Sequence, residues 1–193
     1  MRKISLTLLM LILGLDCFAQ NKIENKILLV IDIQKHFTET TISDSSAKSL
    51  IENSNKIIAN FNPKNVVYIQ SIARVLNISL KGFRVDTVPN LELDANLNIV
   101  NNNIFTKNKG NAFTSESFSS FIEKLGLKEI VVIGLLAEHC VKETLIGGKN
   151  KGYKMFYVPE AIAAKNSESK TNAMVKFNKS EFIEIPISQI VNL

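Results

Sequence analysis

The chain has 193 residues, of which 46% are hydrophobic and 21% charged, and this globular composition excludes an intrinsically disordered protein. The length leaves room for one α/β domain with a proper core. The formal net charge is +5, but the lysines are scattered, aromatic residues are few and Trp is absent. These features predict a solvated basic surface and no nucleic-acid partner.

The N-terminal segment has the pattern of a signal peptide. Two basic residues precede an apolar run, residues 4–14, which is too short to cross a membrane because a spanning helix needs about 20 apolar residues. Small residues at the two positions that a signal peptidase reads predict cleavage after Ala19. We therefore expect residues 1–19 to be a signal peptide. Residues 20–193 would then form one exported domain, periplasmic or secreted, without a stable membrane anchor.

Cleavage at this point would also remove Cys17 and leave Cys140 as the only cysteine of the mature chain. In a compartment that permits disulfides, a lone thiol is either an intermolecular cross-link or a reactive group. The count alone does not decide between them. Two other interpretations of the N-terminus stay open. One is a buried helix; the other is a lipoprotein signal, which Asp16 disfavours because a small residue is required before the cysteine.

The rest of the chain alternates apolar strands with amphipathic helices. The predicted strands are 27–32, 65–72, 103–107, 129–134, 152–158 and 182–185, and the predicted helices are 44–61, 115–125, 138–149 and 168–178. Residues 73–102 are less regular and are expected to form a long loop with short elements. Because the strands are continuously apolar, they predict an α/β fold: a three-layer αβα sandwich with a mainly parallel, Rossmann-like sheet.

Three polar or reactive residues follow predicted strands. Asp32 ends the first strand, Lys107 ends the third, and Cys140 comes shortly after the fourth. In doubly wound sheets, ligands bind at the carboxyl ends of the strands where the strand order reverses. The first and fourth strands flank that point, so we expect Asp32 and Cys140 to face each other.

Cys140 is expected in the first turn of its helix, where unpaired N–H groups and the helix dipole lower the pKa of a thiol. The positive charge of Lys107 would also lower the pKa of this thiol, and Asp32 could accept the proton of the thiol. Each of the three residues also has a purely structural interpretation. Cys140 could be a small buried apolar residue, Lys107 one lysine among many, and Asp32 a helix cap or turn residue. His139 is not expected to pair with Cys140, because adjacent residues on a helix do not face each other.

Three segments together resemble the isochorismatase-like cysteine hydrolases. Asp32-Ile-Gln34-Lys-His-Phe37 is similar to the D-x-Q-x-x-F opening of that family. Lys107 is followed after five residues by Ala112-Phe113, as in the lysine segment of the family. The stretch from Gly134 to Thr144, GLLAEHCVKET, is similar to its nucleophile turn, G-x-x-T-x-x-C-V-x-x-T. The resemblance covers about residues 26–190, with the segments in the family's order.

The resemblance implies a catalytic triad of Asp32, Lys107 and Cys140. It also implies an oxyanion hole formed by the backbone N–H groups of Leu136 and Cys140, with a cis peptide bond between Leu135 and Leu136. The implied activity is hydrolysis of a C–N bond, of amide or carbamoyl type, in a small-molecule substrate through a thioester on Cys140.

The substrate pocket is expected to include Phe37, Phe113 and residues 73–102. Neither a metal nor another cofactor is expected, since the nicotinamidase branch of the family binds its metal through several histidines and this chain has only His36 and His139.

Two positions depart from the family pattern. Ala137 stands where the family usually has Thr, and Glu160 stands where it usually has Asp. These departures keep two alternatives open: a vinyl-ether hydrolase of the isochorismatase type, and an inactive binding protein on the same fold. A dimer cross-linked through Cys140 is a third interpretation, and the family resemblance makes a homo-oligomer another expectation.

Overall fold

The computed structural model of the protein describes Ile23 and residues 25–79, 82–88 and 92–191. The predicted signal peptide, residues 1–19, lies outside these residues. In the part of the chain that is described, no helix is both long enough and apolar enough to cross a membrane.

A central sheet of six parallel strands carries the fold. The strands, in chain order and together with a separate antiparallel pair, are β1 (Lys26–Ile31), β2 (Val66–Ser71), β3 (Ala73–Ser79), β4 (Gly82–Val88), β5 (Ile104–Lys107), β6 (Glu129–Leu135), β7 (Lys154–Ala163) and β8 (Ile183–Glu184). The order in the sheet is β5-β2-β1-β6-β7-β8, whereas β3 and β4 pair only with each other. Because β1 lies between β2 and β6, the strand order reverses beside β1.

Helices cover both faces of this sheet. They are α1 (Lys35–Thr40), α2 (Asp44–Ala59), α3 (Glu116–Leu125), α4 (Lys142–Asn150), α5 (Ser167–Lys179) and α6 (Ser188–Val191). Side chains of α2 and α6 pack into one hydrophobic core, and those of α3, α4 and α5 pack into a second core on the opposite face. The predicted three-layer αβα architecture is therefore confirmed.

The apolar run of β1 follows from its central position. All six of its residues are buried. Leu28 and Val30 face the core under α2, and Ile27, Leu29 and Ile31 face the other core. The five aliphatic residues fill both cores, since burying each large aliphatic side chain contributes about 1.5–3 kcal/mol, whereas the buried Lys26 at the start of the strand is paired with Glu129.

The structure differs from the predicted elements in two places. Within residues 73–102, predicted as a long loop with short elements, the structure has two seven-residue strands, β3 and β4, which pair in antiparallel register from Ala73–Val88 to Ser79–Gly82. Both segments alternate between apolar and polar residues over short stretches, such as Leu76–Ser79 and Phe83–Asp86, and pairing with each other stabilises them as strands. Strand β7 also continues beyond Val158 to Ala163, through an irregularity in its pairing with β6 that accommodates Pro159.

Gly134 allows β6 to approach β1 closely. It lies opposite Ile31 in the parallel register and has a φ of +125°, a conformation that side chains other than glycine rarely adopt. A Cβ at this position would lie directly against the backbone oxygen of Ile31. The glycine therefore brings the chain that leads to Cys140 against the end of β1.

Replacing Gly134 with Ala should lower the free energy of unfolding by at least about 3 kcal/mol, since the methyl group adds a backbone clash to a strained φ. Gly126 is the matched control, because its φ is +71° and no atom lies within 4 Å of the place that the added methyl carbon would take. Gly126→Ala should cost only about 1–2 kcal/mol. Urea unfolding followed by circular dichroism measures both, and equal costs would contradict this account.

Candidate active site

Four side chains meet at the carboxyl edge of the sheet. Asp32 follows β1, Ser71 ends β2, Lys107 ends β5, and Cys140 lies in the turn after β6. The sheet order makes this meeting possible, because β5, β2, β1 and β6 are consecutive neighbours. The expectation that the first and fourth predicted strands lie side by side is thus confirmed for β1 and β6.

Lys107 lies at the centre of this group. Its ammonium nitrogen donates to Asp32 Oδ2 at 2.8 Å, to Ser71 Oγ at 2.6 Å and to Cys140 Sγ at 3.2 Å. The residue is only 2% exposed. A buried ammonium is costly unless all of its hydrogens find acceptors, and these three contacts use all three. Lys107 is therefore held in one orientation, between the carboxylate and the thiol.

Asp32 is held at both its backbone and its carboxylate. Its φ is +56°, and its N–H donates to the Ile69 carbonyl at 2.9 Å. Oδ2 accepts from Lys107 and from the Ser71 hydroxyl, the latter at 2.9 Å. The other oxygen, Oδ1, is buried and has no hydrogen-bond partner among the described residues. An unpaired buried oxygen is costly, and it is available to accept a proton.

Cys140 lies in a π-helical turn, Ala137–Val141, and not in the first turn of an α-helix as predicted. The N–H groups of His139 and Val141 both donate to the carbonyl of Leu136, at 3.1 and 3.2 Å. The α-helix α4 begins only at Lys142. The extra residue in the turn changes the direction in which the side chains after β6 point, which a helical periodicity does not reveal.

The thiol of Cys140 is harder to ionise than the sequence suggests. Burial raises its pKa to about 11, the negative charge of Asp32 adds to the rise, and the positive charge of Lys107 opposes it. The expected lowering of the pKa is therefore not observed, because desolvation and the carboxylate outweigh the ammonium. At neutral pH the thiol keeps its proton, and its nucleophilic form needs a base.

A small pocket of about 90 Å³ opens onto the thiol. Its lining residues are Asp32, Phe37, Thr41, Leu135, Leu136, His139 and Cys140. Phe37 thus lies where the sequence places it, and the peptide bond between Leu135 and Leu136 is cis. Apart from the residues that could react, the walls are mostly apolar.

Phe113 does not line this pocket. It is 6% exposed and lies in the core under α3, α4 and α5, stacked on Tyr153 with ring centroids 5.4 Å apart. Its expected place in the substrate pocket is therefore corrected. Phe113 lies in the 3-10 turn Ala112–Thr114, which Asn111 caps by accepting from the Phe113 N–H at 2.9 Å.

The two departures from the family pattern lie away from the pocket lining. Ala137 is fully buried in the second core. Glu160 is exposed and lines a separate cavity of about 340 Å³, together with Lys170. In the described ranges, no three His, Cys, Asp or Glu side chains are grouped so that they could hold a metal ion.

Sequence reasoning missed Ser71. It is the last polar residue of the predicted strand 65–72 and ends β2 in the structure, so a search for polar residues near strand ends could have found it. In the sequence, Gln34 stands out only as part of the D-x-Q-x-x-F motif. Its side chain accepts from the Ser71 N–H at 2.7 Å and donates to the Ser71 carbonyl at 3.2 Å. Gln34 therefore holds the backbone of Ser71 beside the ion pair.

Comparison with known proteins agrees with this fold. The family model described as "Isochorismatase domain" matches residues 26–185. A curated relative, the uncharacterised isochorismatase family protein YrdC of Bacillus subtilis, is 24% identical over 147 residues, which are 73% of this chain and 75% of that protein.

Two solved structures share the fold. The pyrazinamidase of Pyrococcus horikoshii, in complex with zinc, has a TM-score of 0.69 at 18% identity, covering 84% of this chain and 99% of that one. The octameric YcaC hydrolase of Escherichia coli, of unknown specificity, has a TM-score of 0.66 at 15% identity, covering 87% and 79%.

The three-layer αβα fold with its parallel central sheet and the matched domain define the class of this protein as a hydrolase. The chain belongs to the isochorismatase family, whose domain spans nearly all of its described part.

The two charges beside Cys140 should have opposite effects on its reactivity. Iodoacetamide reacts with the thiolate, so labelling should rise with pH towards about 11. Asp32→Asn should speed labelling roughly tenfold at about pH 8, because it removes a charge that raises the thiol pKa. Lys107→Met should slow labelling by about the same factor, because it removes the charge that lowers that pKa.

Mass spectrometry of the Cys140 peptide measures these rates separately from Cys17. Lys109→Met is the matched control, since Lys109 is exposed and only two residues from Lys107. The electrostatic explanation would be wrong if Asp32→Asn and Lys107→Met changed the rate in the same direction.

Proposed function

We propose that the protein hydrolyses a C–N bond, of amide or carbamoyl type, in a small molecule, with Cys140 as the nucleophile. The observation that carries this proposal is the buried contact of one ammonium, Lys107, with both a carboxylate and a thiol. A purely structural lysine would not need a thiol as its third acceptor. The free carboxylate oxygen of Asp32 supplies the base that a thiol with a raised pKa requires.

In the first half of the reaction, Asp32 Oδ1 takes the proton of the thiol as Cys140 Sγ attacks the substrate carbonyl carbon. The C–S bond forms and the carbonyl π electrons move to oxygen. The backbone N–H groups of Leu136 and Cys140 are proposed to donate to this oxyanion. When the tetrahedral intermediate collapses, the C–N bond breaks and the leaving nitrogen takes the proton from Asp32. The amine departs and a thioester remains on Cys140.

In the second half, Asp32 accepts a proton from water as the water oxygen attacks the thioester carbon. The C–O bond forms, the C–S bond then breaks, and the sulfur takes the proton back from Asp32. The carboxylic or carbamic acid leaves. Lys107 keeps its positive charge throughout, and stabilises the sulfur whenever negative charge develops on it.

The pocket lining favours a small and mainly uncharged acyl group. Phe37, Leu135 and Leu136 provide apolar walls around the thiol, and the cavity of about 90 Å³ holds only a few heavy atoms. We propose that the reaction needs no metal, because the carboxylate of Asp32 is already bound by Lys107 and the whole sequence contains only two histidines.

A panel of small amides, ureas and carbamoyl compounds, scored by ammonia release, tests this function. Cys140→Ala should lower turnover of any substrate found by at least about a thousandfold, because no other group can form the thioester. Cys140→Ala should fold but melt at a lower temperature than the unmodified protein, because one hydrogen of the buried Lys107 ammonium loses its acceptor while Asp32 and Ser71 keep the other two. Turnover at the original rate in Cys140→Ala would contradict the mechanism, and retained activity after alkylation would favour a vinyl-ether hydrolase.

We also propose that the protein is exported, on the basis of the basic and apolar N-terminal segment and the small residues before Gln20. N-terminal sequencing of the protein from a bacterial host's periplasm or medium should begin at Gln20. Lys3→Glu together with Leu9→Arg should leave the full-length chain inside the cell, because the apolar run would be interrupted. Full-length protein in the exported fraction would contradict cleavage after Ala19.

A further inference from the structure

Ser71 lies between the two buried charges of the site. Its hydroxyl oxygen accepts from the Lys107 ammonium at 2.6 Å and donates to Asp32 Oδ2 at 2.9 Å. The direction of each hydrogen bond is determined by chemistry, because an ammonium can only donate and a carboxylate can only accept. Ser71 therefore joins the ion pair as a third member.

This arrangement makes the two oxygens of Asp32 unequal. Oδ2 receives two hydrogen bonds, one from Lys107 and one from Ser71, whereas Oδ1 has no partner among the described residues. The oxygen with two donors is the poorer proton acceptor. Ser71 thereby leaves Oδ1 as the basic oxygen of the carboxylate.

The backbone of Ser71 is held in place by a fully buried side chain. Gln34 is 0% exposed and bonds both the N–H and the carbonyl of Ser71. Gln34 comes two residues after Asp32 in the chain, so it ties the end of β2 to the residues that follow β1. The position of the Ser71 hydroxyl is therefore determined by the fold and does not depend on a substrate.

We infer that Ser71 is a positioning residue of the catalytic site: its hydroxyl directs Oδ1 of Asp32 to the proton of Cys140 and holds Lys107 in contact with the sulfur. This inference rests on the proposed function, since it assigns Asp32 as the base. Ser71 is not among the residues that line the pocket, so its effect on substrate passes through Asp32 and Lys107.

Loss of the hydroxyl should affect turnover more than substrate binding. Ser71→Ala should lower kcat roughly tenfold and change KM by less than about twofold, because one hydrogen bond to a charged group is lost outside the pocket. The pH–rate profile should change along with kcat, because Ser71 contacts both Asp32 and Lys107 and lies outside the pocket lining. The titratable groups that face Asp32 are Lys107 and Cys140, and His139 lines the same pocket.

The matched pair Ser71→Thr and Ser71→Val separates the hydroxyl from the size of the side chain. Both add bulk and are β-branched, so their packing and their strand preference are nearly equal. Ser71→Thr should recover most of the wild-type kcat and its pH profile, whereas Ser71→Val should behave like Ser71→Ala. Ser117→Ala, on the exposed side of α3, is the control for a serine outside the site.

Iodoacetamide labelling of Cys140 gives a second readout that needs no substrate. At about pH 9, Ser71→Ala and Ser71→Val should label roughly three- to tenfold more slowly than the wild type, because Lys107 is no longer held against the sulfur. Ser71→Thr should label at nearly the wild-type rate. If Ser71→Ala does not fold, the Thr and Val variants still provide the comparison.

Two sets of results separate the inference from the proposed function. If Ser71→Val and Ser71→Thr show equal kcat, equal pH profiles and equal labelling rates, the hydroxyl has no positioning role and the inference is overturned. If Cys140→Ala remains fully active, the proposed function fails, whatever Ser71 does. Slow labelling in Ser71→Val alongside an inactive Cys140→Ala supports both.

Discussion

The buried ammonium of Lys107 is the constraint on which the rest of the site depends. A lysine excluded from water must give each of its three hydrogens to an acceptor, and the acceptors here come from three different segments of the chain. Those segments end β1 and β2 and follow β6. The sheet order β5-β2-β1-β6 is therefore a requirement of the site, because a change in that order would leave a buried charge without a partner.

The raised pKa of the Cys140 thiol determines which group of the site carries the proton before any reaction begins. With a pKa of about 11, Cys140 is protonated in the resting protein, and the negative charge of Asp32 can persist beside it. A resting thiolate next to that carboxylate would place two negative charges against one ammonium. The neutral thiol avoids this repulsion. In the proposed mechanism, the proton moves to Asp32 only when the sulfur attacks, so that the site works by proton transfer during attack and not through a stored thiolate.

The sequence predicted those features that the residues of a single strand determine, namely its burial and the polar residue at its end. Continuously apolar runs identified the buried strands, and polar residues at their ends identified Asp32 and Lys107, because parallel strands share one carboxyl edge. It did not predict what depends on contacts between segments. The stacking of Phe113 on Tyr153 and the burial that raises the Cys140 pKa arise from neighbours distant in the chain, and the pairing of β3 with β4 depends on the second of two consecutive strands. Ser71 was accessible to the strand-end argument, but its role required the distances to Lys107 and Asp32.

The central claim is that Asp32 acts as the base towards a thioester on Cys140, and the acyl-enzyme itself tests it most directly. Asp32→Asn, mixed with an ester analogue of an identified amide substrate, should accumulate a covalent adduct, because a good leaving group allows acylation while hydrolysis lacks its base. Intact-mass spectrometry should show one added acyl group, and peptide mapping should locate it on Cys140. Hydrolysis of the analogue at the wild-type rate without any adduct on Cys140 would contradict the account.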